Sequence, residues 1–145
     1  MILLSALLSL TPRVPQPQRG RIDRQFDKIA EDVTAASEAS GVPPSILLTV
    51  GFLESHLGVD AGEGGNYGAP VDHLHRHTAG TALHAARALA RSYEICGTWF
   101  RAITRFRSGL CVFPRHLVGY EAPYAVRMIE RIHALAGVPL PEHLR

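Results

Sequence analysis

The stretch Pro43-Pro44-Ser45-Ile46-Leu47-Leu48-Thr49-Val50-Gly51-Phe52-Leu53-Glu54-Ser55-His56-Leu57-Gly58 decides the fold class. Its prolines stand where the first turn of a helix tolerates them, its apolar residues show no strand-like alternation, and Gly58 suits a left-handed cap at the end. The spacing predicts a helix over 43–57.

Outward from there, Ile22, Phe26, Ile29, Val33 and Ala36 recur at helical spacing over 22–40, and Gly41 with two prolines closes the run. Upstream, Pro12, Pro15 and Pro17 among glutamines predict an extended linker over 11–20. Downstream, 59–77 holds four glycines and one proline and reads as a long loop of the kind that carries function. Thr78 is placed to cap a helix running to about 94, with Leu83, Ala86, Leu89, Ala90 and Tyr93 on its inner side. Trp99, Ile103 and Phe106 mark the next helix. Ala125, Met128, Ile132 and Leu135 mark the inner face of a last one over 122–136, which Gly137 and Pro139 end. No strand pattern competes, so the expected class is all-α, about five helices in one domain over 21–145, preceded by a segment over 1–20.

A chain of 145 residues with 46% hydrophobic residues builds one core and has no room for a second catalytic domain. All basic residues but Lys28 are arginines, and they are scattered. A net charge of +2 without a basic stripe argues against a nucleic acid partner. Met1 to Leu10 (MILLSALLSL) is apolar but well short of the roughly 20 residues a spanning helix needs, and it lacks the marks of a secretory signal. Two readings stay open for it: packing on a partner or membrane surface, or burial as a helix of this same protein. Cys96 and Cys111 bracket one helix and its exit turn, a spacing that permits a disulfide and equally two buried thiols.

Glu54 stands out by position. With about 100° per residue it falls about 80° round from Ile46, inside the apolar arc that runs to Leu47. Partial desolvation and the negative end of the helix dipole both disfavour the ionised carboxylate there, which is the requirement for a general acid. The other reading is a glutamate whose head reaches water or pairs with one of the many arginines.

The run from Gly41-Val42-Pro43 to Glu54-Ser55 resembles the catalytic helix of soluble lytic transglycosylases and goose-type lysozymes. Gly68-Ala69 is similar to the glycine turn that follows that helix and forms part of the family's substrate groove. Arg105-Phe106-Arg107-Ser108-Gly109 is a partial counterpart of the family's Ala-Tyr-Asn-Ala-Gly motif, and Tyr124-Ala125-Val126 heads the last helix as its late Tyr-x-x-x-Val segment does. The resemblance covers about Gly41 to Leu135. It implies a lysozyme-like domain that cuts peptidoglycan glycan strands without a cofactor, with Glu54 as acid/base and Tyr124, or else Tyr120, orienting it. Ser55, Gly68, Ala69 and Phe106 would then line the sugar groove.

Two departures bear on the sugar contacts. The family's Gly-Leu-Met-Gln is Gly68-Ala69-Pro70-Val71 here, and the asparagine of its aromatic motif is Arg107. Asn66 and Tyr67 on the same loop are candidates to supply an amide and a stacking ring instead, with a plain turn role for Asn66 as the other reading.

Ordinary glycosidases use two carboxylates. Only Glu54 is well placed on a helix, with Asp60, Glu63 and Asp72 on the loop, which fits the one-acid transglycosylase route that the resemblance implies. In that route Glu54 protonates the oxygen between N-acetylmuramic acid and N-acetylglucosamine, the N-acetyl group stabilises the cation, and Glu54 then takes the proton of the C6 hydroxyl, giving a 1,6-anhydro product. Hydrolysis by a loop carboxylate and a lysozyme-like wall-binding or assembly module that no longer cuts are the alternatives. A metal site is a further class: Asp72, His73, His75 and His77 alternate along the loop, with His84 and His56 nearby, although the spacing matches no established zinc motif. The expected place of action is the periplasm or cell wall, reached by export or on a phage particle, with 1–10 as the contact to tail or envelope machinery.

Overall fold

The computed structural model describes residues 1–58, 82–112 and 122–145. Every regular element among them is a helix: α1 (Ile2–Leu10), α2 (Gln16–Arg24), α3 (Phe26–Ser40), α4 (Pro44–Ser55), α5 (Ala82–Cys96), α6 (Trp99–Ser108) and α7 (Ala122–Ala136). The class is all-α.

α4 is the axis of the core. It is buried without a break from Ser45 to Phe52 and packs on α1, α3, α5 and α7. A helix that is apolar on nearly all sides is stable in water only when surrounded in this way. α3 turns Ile29, Ala30, Val33 and Ala36 inward and ends at Gly41, whose φ of 74° places its N–H 2.8 Å from the Ser37 carbonyl. α5 packs between α3 and α6, and α6 also meets α7.

The N-terminal segment belongs to this core. Leu4 and Leu7 are fully buried where α1 lies against α7 and α4, and burying each contributes about 1.5–3 kcal/mol. The boundary expected between 20 and 21 therefore falls inside a helix, and the extended linker expected over 11–20 is partly helical. Pro15 takes the N-cap of α2 and Pro17 its first turn, where a missing N–H costs nothing. Arg19 donates from Nη1 to the Leu8 carbonyl at 3.0 Å, and Thr11 from Oγ1 to that of Leu7 at 3.0 Å. Both satisfy acceptors left over at the end of α1.

The single helix expected over 22–40 is two, because the chain turns at Gln25, where φ is −104° and ψ 10°. The turn lets Ile22 on α2 and Ile29 on α3 both bury. The inner face of α5 is Ala82, Ala85, Ala86, Leu89, Ser92 and Cys96, so Leu83, Ala90 and Tyr93 stand at its margin. Its expected cap, Thr78, lies outside the described residues. Leu135 is 57% exposed, and α7 instead turns Val126, Ile129 and His133 inward beside Ala125, Met128 and Ile132.

The chain end closes the other side. Trp99 and Phe100 donate their N–H groups to the carbonyls of His143 and Leu144 at 2.9 and 2.8 Å, and Thr98 accepts from the Arg101 N–H at 3.3 Å. The start of α6 is thus capped by both ends of its neighbourhood. Among the described residues no helix is long and apolar enough to cross a membrane.

Candidate active site at the exit of α4

Where the sequence predicts that the helix runs to Leu57 and is capped by Gly58, α4 ends at Ser55. Ser55 is the reason. Its buried Oγ donates to the Gly51 carbonyl at 3.4 Å and accepts the Gly58 N–H at 2.9 Å, which folds the chain back on the last turn. The N–H groups of His56 and Leu57 take the carbonyls of Phe52 and Gly51, each at 2.9 Å.

The resulting turn is left-handed for three residues, with φ 48° at His56, 62° at Leu57 and 83° at Gly58. Only the last is a residue that adopts this region freely. Leu57 is held there by burial, and the His56 ring packs edge-on against Phe52 with centroids 5.3 Å apart. Strained backbone of this kind persists where surrounding contacts over-determine it, and it concentrates at functional sites.

Glu54 sits at the base of this turn with a side chain 11% exposed. Both its carboxylate oxygens accept from Nη1 of Arg107, in the last turn of α6, at 3.2 and 3.1 Å. Arg107 is 38% exposed at its side chain, so the pair is closed on the protein side and reachable from the solvent side. The arginine pairing left open for Glu54 from the sequence is thus what the fold provides. Arg107, which enters the sequence reading only as a substitute for an asparagine, is the partner of Glu54 that this reading did not single out. A signal was present in the many arginines of a chain with one lysine, but nothing in the sequence says which of them crosses to α4.

The other expected site residues fall into three groups. Tyr124 stands on the outer side of α7, 48% exposed, and among the described residues Glu54 is held by Arg107 and not by this tyrosine. Position 124 falls opposite the buried stripe of α7, which is why the orienting role expected of it is not supplied from there. Phe106 is buried and faces a cleft between α5 and α6 rather than the Glu54 carboxylate. Asn66, Tyr67, Gly68, Ala69 and Tyr120, with Asp60, Glu63, Asp72, His73, His75 and His77, lie outside the described residues. His56 and His84 are described, and no group of three metal-binding side chains occurs among the described residues.

No protein family, curated protein or solved structure matches this chain.

Two further features fix the frame around Glu54. At the start of α4, the buried Ser45 hydroxyl lies 2.7 Å from Nε2 of His133 on α7, whose Nδ1 lies 2.6 Å from the Pro139 carbonyl. A carbonyl only accepts, so Nδ1 carries a hydrogen, and in the neutral ring Nε2 accepts from Ser45. At the far end of α6, Cys96 and Cys111 form a disulfide with Cα atoms 5.6 Å apart, which settles the choice between bridge and free thiols and ties the exit of α6 to α5.

Proposed function

We propose that this protein is a lysozyme-like enzyme that cuts peptidoglycan glycan strands, as a lytic transglycosylase, with Glu54 as its acid/base. The observation that carries the reading is a carboxylate only 11% exposed, at the end of the most buried helix and beside a strained left-handed turn. Together with the Glu54-Ser55 resemblance, this is where such an enzyme would keep its acid.

In the resting protein Arg107 neutralises Glu54. Cleavage would need the sugar to enter between them, with Glu54 relaying a proton from solvent to the glycosidic oxygen. Glu54 then accepts the proton of the C6 hydroxyl, so no water is consumed. The Cys96–Cys111 disulfide supports an oxidising place of action such as the periplasm or wall.

One observation favours a second reading. An acid already paired with a guanidinium is also what a wall-binding module that no longer cuts would retain. Clearing of purified sacculi by the wild type and by Glu54→Gln separates the two: loss of clearing in the variant supports the enzyme, and no clearing by either supports the module.

A further inference from the structure

Between α5 and α6, on the side of α6 that carries Arg105 rather than Arg107, lies a cleft of about 230 Å³ lined by Ala88, Arg91, Ser92, Arg105, Phe106 and Gly109. We infer that it is a binding site for the carboxylate end of a short peptide with a small terminal side chain.

Its chemistry is specific. Arg91 and Arg105 both line this space and no described carboxylate does, so the cleft carries positive charge suited to an anion. Arg105 donates from Nη1 to the Gly109 carbonyl at 2.8 Å, which fixes its planar head against the end of α6 at the rim of the cleft. Ser92 is 7% exposed, stands in the cleft wall, and makes no hydrogen bond with another described residue. A hydroxyl in the cleft wall with no partner among the described residues can donate to an acceptor that enters the cleft.

The shape narrows the ligand. Ala88 and the Phe106 ring give the cleft an apolar wall, which has nothing to offer free phosphate but suits a methyl-sized side chain beside the charge. A carboxylate matches the guanidinium fork with its two coplanar oxygens. The volume is below the roughly 300 Å³ at which pockets for drug-sized molecules begin, so the occupant is a residue or two. The site stands whether or not Glu54 is an acid catalyst, since it shares no residue with the Glu54–Arg107 pair.

The test is titration of the full, oxidised chain with N-acetyl-alanyl-alanine, its C-terminal amide and inorganic phosphate, followed by backbone amide shifts in NMR. The expected result is saturable shifts at Ala88, Ser92 and Gly109 with the free acid. Binding should weaken at least about fivefold for the amide, for Arg91→Gln and for Ser92→Ala, as loss of a charge-assisted hydrogen bond requires. Arg91 is exposed, so its substitution leaves the fold intact. Equal binding of the amide, unchanged affinity in Arg91→Gln, or phosphate binding as tightly as the peptide acid overturns the inference.

Discussion

Nη1 of Arg107 lies within hydrogen-bonding reach of both carboxylate oxygens of Glu54, across 53 residues of sequence, and so joins the last turn of α6 to the last turn of α4. The relationship is measurable as a coupling energy. Arg107→Gln should lower stability by about 1–2 kcal/mol, because it leaves a mostly enclosed carboxylate without its cation, and the exposure of Arg107 keeps the cost below that of a buried pair. Glu54→Gln combined with Arg107→Gln should recover part of that loss. Urea denaturation of the two single variants and the double variant gives the cycle, and a coupling indistinguishable from zero would remove the pair as a feature of the solution state.

The hydrogen bonds of His133 predict a tautomer and a cost. Nitrogen chemical shifts should show the hydrogen on Nδ1, and His133→Ala should destabilise by about 1–3 kcal/mol by leaving the buried Ser45 hydroxyl and the Pro139 carbonyl unmatched. A ring protonated on Nε2 alone contradicts the assignment.

Thr49 is fully buried in α4 and its Oγ1 has no hydrogen-bond partner among the described residues. Thr49→Val keeps the shape and removes the unmatched hydroxyl, so it should raise stability by about 1 kcal/mol. A loss of that size instead would mean that the hydroxyl is satisfied in solution.

The Cys96–Cys111 bridge closes a loop with a sequence separation of 15, for which chain entropy predicts about 3 kcal/mol. Denaturant midpoints of oxidised and reduced protein should differ accordingly, and identical midpoints contradict a bridge that constrains the unfolded chain.

The helices most legible in the sequence were those whose ends carry their own signals. Gly41 closes α3, and Ala122–Ala136 is bounded as read, because left-handed caps and prolines act locally. Pro15 and Pro17 misled for the same local reason: at the start of a helix they initiate it, and only the acceptors on α1 show that a helix starts there. The burial of α1 and the inner face of α5 depend on which helices lie against them, which periodicity does not encode. At the site, the position of Glu54 on an apolar arc was visible from spacing alone. Its bond to Arg107 was not, because that contact is made by the crossing of two helices far apart in the chain.

The most direct test of the central claim is digestion of purified sacculi with the wild type and Glu54→Gln, with the released muropeptides identified by mass. The account predicts 1,6-anhydro ends from the wild type and none from the variant. Reducing ends would contradict the transglycosylase route, and release that persists in Glu54→Gln would contradict Glu54 as the acid.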